Sequence, residues 1–271
     1  MEGLHRLLAR MVEVGASDLH LKAGAAPLAR VHGALQPLGE EPLAAAELEG
    51  WLAGLLSEGQ RAAFAARHAV DLAWTDPAGE RFRVACFRQA GTPALVLRHV
   101  RARIPRLEEL GLPEVVADLC LPRPGLVLIT GPTGSGKSTT LAAMVGHLNR
   151  TAALTITTLE DPVEFLHRDE RCHITQREIG LDAASFAAGM VEALRQDPDV
   201  ILVGELRDRD TIATALLAAE TGHLVLSTLH TRSAAETVQR LLAAFPADGR
   251  EAVRVQLAAC LTAVVGQRLI P

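Results

Sequence analysis

The sequence predicts an α/β chain: a parallel-sheet domain with helices on both faces, preceded by a smaller α+β domain. Two observations carry this. From residue 125 onward, short uniformly apolar runs alternate with amphipathic helical stretches, the pattern of a sheet buried on both sides. Between the first such run and the helix after it stands "GPTGSGKS", a glycine-rich loop between a strand and a helix.

In the first hundred residues Leu4, Leu7, Leu8 and Met11 recur at helical spacing and predict a helix over 4–14. "DLHLK" and "LARVHG" read as short strands, residues 44–66 as a helical stretch, and "VDLAW", "RFRVACF" and "TPALVLRHV" as further strands. Pro105 and Pro113, set among charges, bar a continuous helix after residue 100. The expected division is therefore a first domain over 1–100, a linker over 101–113 and a second domain over 114–271. In the second domain "LVLIT" is a strand, a helix opens at Lys137, and "LTITTL" is the next strand. A helix from about Ala183, the strand "VILVG", the helix "DTIATALLAAE" and the strand "LVLST" follow.

Composition narrows the class. A hydrophobic fraction of 49% suits a soluble globular chain, and no apolar run approaches the eighteen or so residues that span a bilayer, so no integral membrane segment is expected. The amphipathic N-terminus carries acids and resembles neither a secretory signal nor a transit peptide, which makes the cytosol the expected compartment. Four widely spaced cysteines without a C-x-x-C pair suggest buried thiols, not a disulfide framework or a zinc site. A net charge of −5 disfavours nucleic acid as a partner.

Of 27 basic residues only Lys22 and Lys137 are lysines, so a lysine where a phosphate loop needs one is a specific signal. Gly131, Gly134 and Gly136 allow a tight turn whose backbone N–H groups converge on phosphate oxygens, and Pro132, Thr133, Ser135 and Thr139 complete the cradle. Lys137 is placed for the β- and γ-phosphates of a bound triphosphate, and the Ser138 hydroxyl for Mg2+. Ligands of a parallel sheet lie outside the carboxyl ends of its strands. "TTLEDPVEFLH" offers Glu160, Asp161 and Glu164 at one such end, although Asp161 before Pro162 also reads as a plain turn former. "DVILVGELRD" offers Glu205 where an aspartate is usual, after Gly204, which leaves room for close backbone approach. In "AAETGHLVLSTLHT", His223 enters a strand and His230 leaves it on the phosphate side.

"GPTGSGKST", "EDPVEF", "VGELRD" and "TGHLVLSTLHT", in this order, resemble the P-loop, Asp box, atypical Walker B and His box of the secretion ATPase superfamily, the hexameric motors of type II secretion and type IV pili. "GASDLHLKAGAAPLARVHGALQPL", "RFRVACFRQAG" and "FPADGREAVRVQLAACLTAVVGQRLIP" are similar to its PilT-like retraction-ATPase branch. The resemblance implies a RecA-like P-loop NTPase domain preceded by a PAS-like domain, and a homohexamer that hydrolyses ATP with Mg2+. It also implies an inner-membrane pilus platform protein as partner, at the cytoplasmic face of the membrane; the alternative is an accessory subunit that assembles with a paralogous ATPase. By position it makes Glu164 the residue that positions or activates water, Glu205 the Mg2+-holding acid, and His223 and His230 the sensors. Arg83 and Arg98 become the arginines that the N-terminal domain supplies to a nucleotide, with Arg207 a further candidate near the site. Members of the family usually continue past "QRLIP" with a helical segment; this sequence ends at Pro271. Two readings of the carboxylates stand open at this point, water activation by Glu164 or by Glu205.

Overall fold

Two six-stranded sheets, one antiparallel and one parallel, organise the chain. The computed structural model describes residues 1–100 and 103–269, and the chain divides into the units Met1–Ala102 and Arg103–Pro271.

The first unit opens with helix α1 (Glu2–Glu13) and the strands β1 (Asp18–Lys22), β2 (Leu28–Val31) and β3 (Ala34–Pro37). Helices α2 (Ala45–Leu55) and α3 (Glu58–Arg67) lead into β4 (Ala69–Thr75), β5 (Arg81–Gln89) and β6 (Thr92–Val100). The sheet order is β3-β2-β1-β6-β5-β4, with antiparallel pairing throughout. Alternation along the strands sends Leu19, Leu21, Phe82, Val84, Leu95 and Leu97 into one core with Leu4, Leu8 and Met11 of α1. The single helix expected over 44–66 is two. Ser57 caps α3 in a capping box with Gln60, and the chain is extended at Leu56 and Ser57, which ends the first helix.

The second unit begins with a 3-10 turn (Leu107–Leu110) and the short helix α4 (Val115–Asp118). Leu107 is buried in this unit's core, so the described part of the expected linker packs as part of the second unit. Then come β7 (Gly125–Thr130), α5 (Lys137–Thr151), β8 (Thr155–Glu160), β9 (His173–Glu178), α6 (Phe186–Ala193) and β10 (Val200–Val203). Helix α7 (Arg209–Glu220), β11 (Leu224–Leu229), α8 (Ala234–Ala243), α9 (Arg250–Cys260) and β12 (Leu261–Gly266) complete it. The order is β12-β7-β11-β10-β8-β9, every pair parallel.

Both faces of the central strands β7, β10 and β11 are dry. Leu126 and Leu128 point to the side of α6, α7 and α9, while Val127 and Ile129 point to the side of α5. Burial on both sides explains the apolar runs of β7 and β10 and of residues 224–226 in β11. This is the RecA-like P-loop ATPase fold, with an antiparallel-sheet unit before it. No helix among the described residues is long and apolar enough to cross a membrane.

Candidate functional site

The loop from Gly131 to Gly136 joins the buried end of β7 to the start of α5. Gly131, Gly134 and Gly136 have φ of +149°, +79° and +88°, backbone that side chains with a Cβ rarely adopt. Pro132, Thr133, Gly134 and Ser138 are exposed, Gly136 and Thr139 half-buried, and Ser135 and Lys137 buried. The Ser135 hydroxyl oxygen is buried with no hydrogen-bond partner, as is that of Thr130 at the end of β7. This turn at the head of a fifteen-residue helix has the form of an anion cradle.

Lys137 folds back over the loop. Its ammonium donates to the carbonyls of Gly131 (2.9 Å) and Pro132 (3.0 Å) and faces His230 Nδ1 at 3.5 Å. Burial lowers its proton affinity from the ordinary value, while Glu205 and Glu164 act the other way. Because an ammonium only donates, Nδ1 of His230 is the accepting nitrogen and Nε2 carries the proton. That Nε2 lies 3.6 Å from Glu205 Oε2, and the other Glu205 oxygen pairs with Arg207.

Local folding explains these placements. Asp208 caps α7 by accepting from the Thr211 N–H at 2.9 Å, which turns the chain sharply after β10 and leaves Glu205 at the strand end. The Thr228 hydroxyl donates to the Gly204 carbonyl (2.6 Å), and the Leu206 N–H donates to the Thr228 carbonyl (3.2 Å), tying this turn to β11 and its successor His230. Glu205 is thereby held with its side chain only 14% exposed.

The acids after β8 take separate positions. Glu160 is half-buried, accepts from Thr158 Oγ1 (2.6 Å) and Gln176 Nε2 (3.1 Å), and also accepts the Glu164 backbone N–H. Burial raises its proton affinity above the ordinary carboxyl value in spite of those bonds. Asp161 is exposed in the turn, and Glu164 is exposed within the electrostatic reach of Lys137. Among the described residues no group of three or more His, Cys, Asp or Glu side chains is arranged to hold a metal. The donors present, the Ser138 hydroxyl and the Glu205 carboxylate, fit magnesium only when substrate oxygens complete its shell, its usual mode in phosphate sites.

The two histidines of "TGHLVLSTLHT" part company. His223 precedes β11 at its amino end, where its carbonyl accepts from the Gly125 N–H and its Nδ1 lies 3.0 Å from the Ala218 carbonyl. His230 leaves the opposite end. Six residues of strand separate them by roughly 20 Å, so within this chain His223 is not at the phosphate loop.

Arg83 and Arg98 belong to the first unit, where they face each other across β5 and β6. Arg98 Nε donates to Asp18 Oδ1 at 2.8 Å. Burial pushes the Asp18 carboxyl up, but the bonds from Ser17 and Arg98 outweigh it and leave its proton affinity below the ordinary value. Arg83 is exposed.

Sequence reading missed the end of β12. Gln267 extends the β12–β7 ladder by donating its N–H to the Thr130 carbonyl (2.7 Å), and its Oε1 accepts from the Thr140 hydroxyl (2.9 Å). With Gly131, Pro132, Arg232, Gly266 and Arg268 it lines a cleft of about 500 Å3 beside the loop.

The family model described as type II/IV secretion system protein matches residues 73–271. The chain belongs to that family. Among its relatives, type IV pilus ATPase PilU of Pseudomonas aeruginosa is 43% identical over 98% of this chain and 70% of its own length. The type IV pilus retraction ATPase PilT of the same organism is 46% identical over 97% and 77%. A crystal structure of the pilus retraction motor PilT with bound ADP superposes with a TM-score of 0.94 at 43% identity, covering 98% of this chain and 78% of that one. At that similarity the secretion-ATPase family supplies both units of the chain, not the P-loop sheet alone.

Proposed function

We propose that this secretion-family chain is an ATP-hydrolysing motor subunit that drives type IV pilus retraction as a homohexamer. The observation that carries the reading is the run Lys137, His230, Glu205 and Arg207 at the mouth of the phosphate loop. Likeness to PilT and PilU over nearly the whole chain supports the pilus assignment. The same likeness supports a cytoplasmic location at the inner membrane face, against a pilus platform protein.

Each side chain then has a task. Lys137 exchanges the Gly131 and Pro132 carbonyls for β- and γ-phosphate oxygens, converting neutral acceptors into charge-assisted ones. Ser138 and Glu205 hold Mg2+, which when bound neutralises charge developing on the transferred phosphoryl group. Glu164, exposed and near the lysine, orients the attacking water. His230, with a proton on Nε2, holds Glu205 in place and reports the γ-phosphate through the shared lysine. Arg83 and Arg98 supply further positive charge from the first unit of the same or a neighbouring subunit, where a guanidinium fork suits phosphate oxygens.

Phosphate release by wild type, Lys137→Ala and Glu205→Gln, with particle mass measured beside it, tests this. Lys137→Ala loses nucleotide binding, and Glu205→Gln binds but turns over slowly. Equal background turnover in all three ends the enzyme reading, and a monomer that hydrolyses ATP ends the ring. Identities of 43% to PilU and 46% to PilT favour neither relative, so an accessory ATPase assembling with a paralogous motor is the second reading. It requires turnover that appears only on mixing with that paralogue.

A further inference from the structure

Gln267 touches the phosphate loop at both ends. A Cβ built on Gly131 lies 2.2 Å from the Gln267 carbonyl oxygen, and one built on Gly136 lies 3.0 Å from Gln267 Nε2. The first and last glycines of the loop are therefore small against Gln267, besides being in backbone that disfavours a Cβ. Its main-chain N–H holds the residue before the loop, Thr130, and its Oε1 holds Thr140 in the first turn of α5. Thr140 is 1% exposed while Gln267 is half-buried, so the bond is partly shielded and leaving the Thr140 hydroxyl without it is costly.

We propose that Gln267 is a positioning residue that fixes the phosphate loop through Thr140 and so sets nucleotide affinity. The carboxamide suits the task. One end accepts from Thr140, and the other sets the neutral Nε2 3.0 Å from where a Cβ on Gly136 would lie, beside the cradle. A carboxylate in its place keeps the acceptor but sets a negative charge against incoming phosphates. Neither Lys137 nor Glu205 is contacted, so the effect falls on binding and spares the chemical step. Arg232 and Arg268, which share the cleft, are exposed and carry no such tie to the loop.

The proposal rests on the nucleotide reading of the loop, which binding of Mg-ADP by wild type and its loss in Lys137→Ala establish separately. Mg-ADP titration and steady-state phosphate release on the full chain then test Gln267. Gln267→Ala and Thr140→Val each weaken ADP binding by up to roughly tenfold, the upper range for one hydrogen bond. In both, turnover at saturating ATP stays within about twofold of wild type, because contacts made alike in ground and transition states leave kcat alone. The double variant binds no more weakly than the worse single, since the two residues form one contact. Thr140→Ser, which restores the hydroxyl, binds as wild type, and Gln267→Glu binds more weakly than Gln267→Ala. Single variants with wild-type affinity, losses that add in the double, or a fall in kcat matching the loss of affinity overturn it. Should Gln267→Ala fail to fold, the comparison of Thr140→Val with Thr140→Ser decides. If wild type binds ADP and these variants change nothing, this proposal alone fails.

Discussion

His230 turns Nε2 toward Glu205 Oε2 at 3.6 Å while its other nitrogen meets Lys137 at 3.5 Å, so one imidazole joins the basic and acidic ends of the site. The three residues come from α5, the turn after β10 and the end of β11. Their meeting follows from strand order alone, because β7, β11 and β10 are consecutive neighbours in the sheet.

His230→Ala removes both contacts at once. The expected result is a kcat lower by about ten- to a hundredfold, within the range of a lost catalytic donor, with ADP affinity changed only a few-fold. His230→Gln, which offers a neutral donor at similar reach, recovers part of the rate. Phosphate-release kinetics and ADP titration on the three proteins check this; equal rates for alanine and wild type remove the histidine from the mechanism.

Arg207 pairs with Glu205 and is itself largely exposed, so its work is to aim the carboxylate. Arg207→Ala is expected to slow turnover a few-fold, with melting temperature unmoved, since exposed ion pairs add little to stability. Glu205→Gln already lacks the charge that Arg207 meets, and adding Arg207→Ala to it produces no further loss. Rates of the two singles and the double, set out as a mutant cycle, read the coupling directly.

Much of this site is legible in the sequence because its parts are punctuated. Glycines bracket the loop, and the apolar runs that open β7, β10 and β11 stop where polar residues begin. Gln267 was invisible for the opposite reason. Helix α9 ends at Cys260 and β12 begins at Leu261, with no glycine, proline or polar break to mark the change, so neither the strand nor the residue after it stood out. The edge strand β9, "HITQRE", is polar and half-exposed and lacks the apolar signature of its neighbours. His223 shows the limit of motif proximity. Seven positions from His230 is one helix face turned twice, but in a strand it is the far end of the sheet.

Asn149 illustrates a residue that no pattern singled out. Buried near the end of α5, it donates to the Arg168 carbonyl (2.7 Å) and accepts from the N–H groups of Glu170 (3.0 Å) and Cys172 (3.3 Å). It pins the segment that runs from Glu164 into β9. Asn149→Ala leaves three main-chain groups without these partners, for an expected loss of about 2–4 kcal/mol in urea unfolding. An unchanged midpoint means that water replaces the amide.

Glu160 makes stability depend on pH. Its folded-state proton affinity lies above the ordinary carboxyl value of 4.5, so over a window starting there the native chain holds a proton that the unfolded chain has released. Stability from this group is complete below the window and is lost as pH rises through the folded value. Glu160→Gln removes the titration, and its stability relative to wild type is expected to climb with pH across the window. Urea midpoints for both proteins at several pH values give the slope; parallel curves refute the assignment.

Gly131 and Gly204 separate two meanings of a glycine. A Cβ on Gly131 meets the Gln267 carbonyl oxygen at 2.2 Å, and its φ of +149° is foreign to L side chains. A Cβ on Gly204 meets nothing closer than the Leu159 carbonyl oxygen at 3.4 Å, and its φ is not in the positive range. The close approach expected from the sequence at Gly204 is an ordinary van der Waals contact with β8, and what holds Glu205 is the Asp208 cap and the Thr228 tie. Gly131→Ala is therefore expected to cost several kcal/mol or to block folding, since backbone atoms on both sides must move. Gly204→Ala is expected to stay within about 1 kcal/mol of wild type and to keep turnover. Thermal melts and phosphate release on the pair decide the matter, and a Gly204→Ala protein that folds but cannot hydrolyse ATP reinstates a functional need for glycine beside Glu205.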